Sequence, residues 1–342
     1  MKISEIYVYP IKSLRGTSLS AAIATRHGFQ YDRKFMLLKV HPDGFKNMAV
    51  SHFPEMTLFL THIDYPEDDD RGIGSITVKF TAPGSTDTKT LTIPLLPNTQ
   101  RLETIEINMH NSPTDAFKMP AEYNEWFSSC FGYEVLLVYL GDNLRDVLFQ
   151  DLKPSKGSSW LSAISSNIPL LGASNPESKQ ITFADCAAYL IVSNTSLKDV
   201  SSRLSDGIEM DVTKFRPNIV IEGAESPWEE DFWGKIRINN AEFTLAHNCI
   251  RCKSINIDFK TGKQPTDKAG NVLKKLQADR RVDRGAKWSP VFGRYSYLDP
   301  RNGDRPLKVG DEVTVIRLNP ERTVWSRITP RSMPQCSDTD KL

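Results

Sequence analysis

The sequence predicts a β-rich, mixed α+β chain of two packed domains, and three observations carry that prediction. At 342 residues the chain exceeds the usual size of one domain. Its opening, Lys2-Ile3-Ser4-Glu5-Ile6-Tyr7-Val8-Tyr9, alternates like a half-buried strand. Further short apolar runs recur with turn signals between them, which favours a barrel or sandwich over a βαβ domain.

In chain order, strands are expected at 3–9 and 35–40, with the loop Ile11-Lys12-Ser13-Leu14-Arg15-Gly16 leaving the first. His41-Pro42-Asp43-Gly44 reads as a turn, since proline presets φ and glycine tolerates positive φ. More strands are expected near 57–63, 75–81, 89–94 and 102–108, and Pro66–Asp70 reads as a solvated acidic hairpin tip. The texture changes near Pro120: a helix over 121–131 carries Trp126 and Phe127 and ends at Gly132, then Val135–Tyr139 forms a buried strand. The Ser-, Pro- and Gly-rich stretch 153–179 reads as a long surface connection.

A second half restarts at 181–192, and a helix follows to about Leu204 with Asn194 or Thr195 near its cap. Strands near 218–222, 235–238, 242–246 and 254–258 come next. A polar helix is expected between Lys268 and Arg281, a closing strand at 309–316, and a mobile tail past about 320.

Bulk properties exclude several classes. Hydrophobic residues make up 39% and charged residues 25%, which is globular rather than disordered composition. The 43 basic residues nearly cancel the 42 acidic ones, so a general nucleic-acid binder is disfavoured. No apolar run approaches the ~18 residues of a membrane span. The opening strand has neither the apolar core of a signal peptide nor the pattern of a transit peptide, and a cytoplasmic protein is expected. Five scattered cysteines do not make a disulfide scaffold. The fingerprints G-x-G-x-x-G, the Walker loop, H-E-x-x-H and G-x-S-x-G are all missing.

The chemistry concentrates between Phe215 and Gly262, where Arg216, Arg251, Cys249 and Cys252 sit at the ends of apolar runs. A zinc site would need four ligands, and there is no second C-x-x-C. A thioredoxin-like dithiol would open a helix, whereas Lys253–Asp258 alternates like a strand. Two unrelated buried thiols remain a third reading. Lys12, Arg33, Arg216 and Arg251 all flank expected strand ends; guanidinium forks suit phosphate, and a loop lysine acts as a point charge.

One set of motifs, in order along residues 1–318, goes further: Tyr9-Pro10-Ile11-Lys12-Ser13, Asp32-Arg33, Phe215-Arg216-Pro217-Asn218-Ile219-Val220, Cys249-Ile250-Arg251-Cys252, Asp258–Gly262, Phe292-Gly293 and Val309-Gly310-Asp311. With these the chain resembles the MOSC family of molybdenum-cofactor domains, and within it the amidoxime-reducing branch. The resemblance implies an N-terminal MOSC-associated β domain (1–115), a helical and loop connection (116–180), a MOSC β-barrel (181–318) and a flexible tail (319–342). It implies a molybdenum cofactor between the two domains. Cys252 would be the thiolate ligand to molybdenum, a soft donor suited to a transition metal. Lys12, Ser13, Arg33, Arg216, Asn218 and Arg251 would hold the pterin and its phosphate, with Asp185 and Cys186 beside them. Where the family has small hydroxyl residues after that aspartate, this chain has Cys186-Ala187-Ala188.

The activity implied is reduction of N-hydroxylated compounds such as amidoximes, fed by a separate electron donor of cytochrome b5 type. The alternative is a non-catalytic cofactor carrier or sulfur-handling module. The membrane anchor of animal relatives and the aminotransferase-like domain of sulfurases are both expected to be missing. A pyridoxal phosphate association also travels with the family, and no residue of this chain is assigned to it.

Overall fold

The computed structural model describes residues 1–65, 74–147, 149, 179–204, 207–265 and 271–325. The acidic tip at 66–70 and most of the 153–179 connection therefore lie outside the described residues.

The β-rich expectation holds. The largest sheet has eight strands, in the order Thr17–Leu19, Lys2–Val8, Ile219–Glu222, Tyr189–Ser193, Val291–Leu298, Ala241–Ile250, Trp233–Ile238 and Val313–Leu318. It curls until its last strand returns beside its second. Val313 N donates to Met1 O at 2.8 Å, Ile3 N to Asp311 O at 2.9 Å, and Gly310 N to Ile3 O at 2.8 Å. The opening strand thus joins the second half of the chain, with Lys2 opposite Glu222 and Ile6 opposite Ile219.

Two more sheets build the N-terminal half. One has five strands, ordered Thr104–Met109, Ser112–Lys118, Val135–Tyr139, Phe35–His41 and Gly44–Asn47; the other pairs Phe59–Asp64, Ser75–Thr81 and Thr88–Pro94. In Phe59–Asp64 buried and exposed residues alternate strictly, as one covered face requires. A helix over Ala121–Phe131 (α1) ends at Gly132, whose φ of 76° is the left-handed cap glycine accepts without a side-chain clash. Phe131 stacks on Phe59 at 4.6 Å and Phe127 lies at 5.8 Å, so the helix caps an aromatic cluster. A single apolar core runs from that cluster through Ile11 and Phe35 to Ile219 and Phe243 of the large sheet.

Three expectations are corrected. The strand expected at 254–258 is a 3-10 turn, Lys253–Asn256. Ile255 and Ile257 are buried, which produced the strand-like alternation, but their amides bond back to Cys252 O and Ser254 O. The polar helix shortens to Val272–Gln277 (α3 in chain order), capped by the Asn271 side chain. The closing strand moves to Val313–Leu318, after a short strand at Arg305–Lys308. The helix Asn194–Ser202 (α2) starts where expected, with Asn194 directly after its cap residue Ser193, which makes no side-chain capping bond.

The chain past 319 does not leave the body at once. Asn319 N bonds Phe232 O at 2.8 Å, Arg322 Nε bonds Asp231 at 2.8 Å, and the buried Trp325 bonds Asp283 through its backbone at 2.9 Å. Asp231 is fully buried and also takes a two-pronged contact from Arg280, both distances 2.9 Å.

Its neighbour Glu230, equally buried, accepts Ser196 Oγ at 2.7 Å, while its other oxygen has no hydrogen-bond partner among the described residues. Burial first, and the Asp231 charge next, push the Glu230 carboxyl up to about 7. The native state therefore holds a proton that the unfolded chain releases at the ordinary glutamate value. Stability should fall as pH rises from about 4.5 to about 7, by up to ~3 kcal/mol relative to Glu230→Gln. Parallel denaturant titrations of the two proteins measure this, and a pH-independent difference would contradict it.

Candidate functional site

Segments distant in sequence converge on a cleft of about 130 Å³ whose wall includes Arg33, Asp185, Lys214, Arg216, Asn218, Arg251 and Cys252. Tyr9, directly after the opening strand Lys2–Val8, lies under two of these arginines. The Arg33 and Arg216 guanidinium carbons both lie over the Tyr9 ring, at 4.6 and 4.3 Å from its centre. Tyr9 Oη is buried and has no hydrogen-bond partner among the described residues.

Backbone strain gathers at the same place. Ser13, Arg33 and Arg216 have φ of 69°, 51° and 57°, in the left-handed region that non-glycine residues seldom enter. Each such residue costs on the order of 1–3 kcal/mol and persists only where its surroundings enforce it. Arg33 N is held by Tyr9 O at 2.7 Å and Arg216 N by Thr213 O at 3.0 Å.

The cationic side chains differ in how far they are occupied. Arg33 bonds Asp32, the Asn218 amide oxygen at 3.1 Å and Arg216 O at 3.3 Å. Arg251 spends its donors on backbone carbonyls: Phe292 O at 2.9 and 2.6 Å, and Phe215 O at 2.8 Å. It therefore fastens the Cys252 loop to the Arg216 turn. Among the described residues Arg216 makes a single side-chain bond, to Leu14 O at 2.6 Å, and has no carboxylate partner. Burial, and next the Arg33 charge beside it, lower the Arg216 guanidinium to about 10. Two guanidiniums against one ring, with Asp32 the one carboxylate bonded to them among the described residues, make a preformed grip for an anion.

Lys12 lies behind this wall. Its ammonium bonds Phe183 O at 3.0 Å and the Asp185 carboxylate. Burial favours the neutral lysine; for Asp185 desolvation is outweighed by the Lys12 charge, which holds the carboxyl well below its usual range. Ser13 is buried next to Lys12. Asn218 is tied into the sheet by Leu190 N and Tyr7 O, both at 3.2 Å, so its role is to fix Arg33.

The two nearby thiols are unlike. Cys252 is half-buried in the cleft wall with Ser254 Oγ 3.2 Å from its sulfur. Cys249 is fully buried, and burial raises its thiol. Cys186 is buried too: burial pushes its thiol up to about 12, and it packs with Phe149, Trp325 and Tyr295 rather than standing in the cleft wall. No group of three or more His, Cys, Asp or Glu suited to a metal ion occurs among the described residues.

Sequence reasoning missed several members. Tyr9 and Asp32 belong to quoted motifs, but only the fold shows the ring as a platform and the Asp32 carboxylate as anchor, accepting Tyr9 N at 2.8 Å. Arg145 is fully buried and fastens the 182–185 loop through Thr182 O at 3.0 Å and Asp185 O at 2.8 Å. Nothing local in its sequence marks it. Lys214 precedes a quoted motif and joins the wall.

Fold and site define a β-rich protein that sets one accessible thiol beside a preformed anion grip. The chain belongs to the MOSC family: the MOSC N-terminal beta barrel domain matches residues 1–134 and the MOSC domain residues 178–314. Mitochondrial amidoxime reducing component 2 of Bos taurus is 29% identical over 324 residues, covering 91% of this chain and 82% of that protein. Molybdenum cofactor sulfurase of Arabidopsis thaliana is 28% identical over 323 residues, covering 91% of this chain but 35% of that protein. The chain thus spans about a third of the sulfurase it matches. Mitochondrial amidoxime-reducing component 1 of Homo sapiens is 34% identical over 138 residues, 40% of this chain and 39% of that protein. No helix among the described residues is long and apolar enough to cross a membrane.

Proposed function

We propose that the chain holds a molybdenum cofactor in this cleft, with Cys252 as the metal's thiolate ligand, and reduces N-hydroxylated compounds of the amidoxime type. The observation that carries the reading is the shared wall: a half-buried thiol and an incompletely paired guanidinium face one small cleft. The donor set suits the group. Thiolate sulfur is a soft ligand, and Arg216 in the cleft wall has spare N–H donors for a phosphate.

When bound, the cofactor supplies a two-electron metal centre with high affinity for the oxygen of an N–O bond. The chain's own residues do the rest. Arg216, steadied by Tyr9 and Leu14 O, neutralises the phosphate; Arg33, clamped by Asp32 and Asn218, adds its positive field. Lys12 and Asp185 form an ion pair at the loop beside the cleft, and Arg145 fixes that loop's carbonyls. Ser254 Oγ, 3.2 Å from the Cys252 sulfur, is placed to donate to a thiolate and hold its direction. Reduction of benzamidoxime by cofactor-loaded protein with a chemical electron donor tests the reading. Cofactor binding without turnover would instead support a carrier or sulfur-handling module, a reading favoured by the likeness to the sulfurase.

Electrons would come from a separate protein of cytochrome b5 type. A plant-type iron–sulfur domain needs four suitably spaced cysteines, and no nucleotide fingerprint is present for a flavin or nicotinamide. Protein given NADH alone should leave benzamidoxime unreduced, and adding cytochrome b5 with its reductase should start turnover. Product formation with NADH alone, followed by chromatography, would refute the separate donor.

A further inference from the structure

We propose that Lys214 and Arg15 form a second anion-binding subsite beside Cys252, which takes an acidic group carried by the substrate itself. The preferred substrates would then be N-hydroxylated compounds bearing a carboxylate. This inference rests on the reading of the cleft as a reductase site.

Lys214 is half-buried and stands in the cleft wall. Among the described residues its ammonium has no hydrogen-bond or ion-pair partner; it lies 5.4 Å from the centre of the Phe259 ring. The Arg15 guanidinium lies 4.6 Å from the centre of the same ring and likewise makes no side-chain hydrogen bond or ion pair among the described residues. Neither group hangs on a loose backbone. Arg15 N bonds Phe59 O at 3.1 Å, and Arg15 O accepts Thr61 Oγ1 at 2.7 Å. Lys214 sits in the turn Val212–Phe215, which packs against the turn Lys253–Asn256 that follows Cys252.

Two carboxylates lie near enough to matter, and both are engaged elsewhere. Asp211 caps its own turn, accepting Thr213 N at 2.8 Å and Thr213 Oγ1 at 2.6 Å. Asp258 accepts Lys260 N at 2.9 Å and Thr261 Oγ1 at 3.1 Å. Burial lowers the Lys214 ammonium and Arg15 opposes it further, while Asp211 and Asp258 act the other way. Two like charges gathered on one ring, with their acidic neighbours occupied, are relieved by an incoming anion. The pair is distinct from the grip on Tyr9, so one anion does not account for both.

The test compares benzamidoxime with para-carboxybenzamidoxime in cofactor-loaded protein. The wild type should favour the carboxylated compound in kcat/KM by on the order of tenfold, since charge-assisted contacts are the stronger ones. That preference should shrink as salt is added, approach unity in Lys214→Gln, and return in part in Lys214→Arg. Calorimetric binding of benzoate to the same protein, lost in Lys214→Gln, reads the subsite without turnover. Turnover of both substrates with equal kcat/KM and no benzoate binding would overturn the subsite and leave the reaction standing. Benzoate binding to a protein that reduces neither compound would retain the subsite and overturn the reaction. A fall in bound cofactor in Lys214→Gln, with the preference unchanged, would assign the two cations to the cofactor and overturn the inference.

Discussion

Cys252→Ala should abolish reduction of benzamidoxime while leaving much of the cofactor bound. Among the described cysteines, Cys252 is the one that is both accessible and in the cleft wall. The other candidates cannot replace it: Cys249 is fully buried with its thiol raised by burial, and Cys186 is buried against Tyr295. The proposed phosphate grip of Arg33 and Arg216 rests on Tyr9, Asp32 and Leu14 O, none of which depends on the Cys252 sulfur. Binding and chemistry should therefore separate in this variant. Cys249→Ala should cost on the order of 1 kcal/mol of packing and keep most of the activity. Turnover numbers and pterin content of the two variants, measured together, check this. Equal losses in both would favour a dithiol site.

Arg216→Ala should act on the other side of the site. Its guanidinium is less occupied than those of Arg33 and Arg251, with one bond to Leu14 O and no carboxylate partner among the described residues. Removing a charge-assisted contact to phosphate costs about 1.5–3 kcal/mol, which is roughly 10–100-fold in affinity. The fold should suffer little, because the lost bond is single and relief of the like charge of Arg33 offsets part of it. The replacement does leave a non-glycine residue at φ 57°, so the strain at this position stays. Arg216→Lys keeps the charge but not the fork, and should fall between the two. Pterin retention after dialysis reports the affinity; full retention in Arg216→Ala at limiting cofactor would contradict the grip.

Local pattern carried much of the fold. The alternation of Lys2–Val8, the apolar run Val135–Tyr139 and the Gly132 stop of α1 are set by neighbours in sequence, and each stands where it was expected. What pattern could not carry was pairing over distance. Thr17–Leu19 and Ala21–Thr25 are short strands held by Lys2–Val8 and Arg305–Lys308, and nothing within them announces it. Lys253–Asn256 failed for a different reason: a 3-10 turn with Ile255 and Ile257 buried mimics the period of a strand.

The site shows the same division. Cys252 and Arg216, which the structure sets in one cleft wall, could be named from motifs because they sit in recognisable runs. Their relative freedom could not. That Arg251 is consumed by Phe292 O and Phe215 O, and that Lys12 turns to Asp185 and Phe183 O, depends on backbone brought in from elsewhere. Arg145 and Lys214 have no motif at all, and only the folded chain sets them at the cleft and its loop.

The central claim is that Cys252 is the protein ligand to molybdenum in this cleft. Molybdenum X-ray absorption on protein purified from a host that makes the cofactor tests it most directly. The account predicts bound molybdenum in the wild type with one more sulfur neighbour than in Cys252→Ala, and no such change in Cys249→Ala. Identical sulfur shells in the wild type and Cys252→Ala, or protein that binds no molybdenum at all, would contradict it.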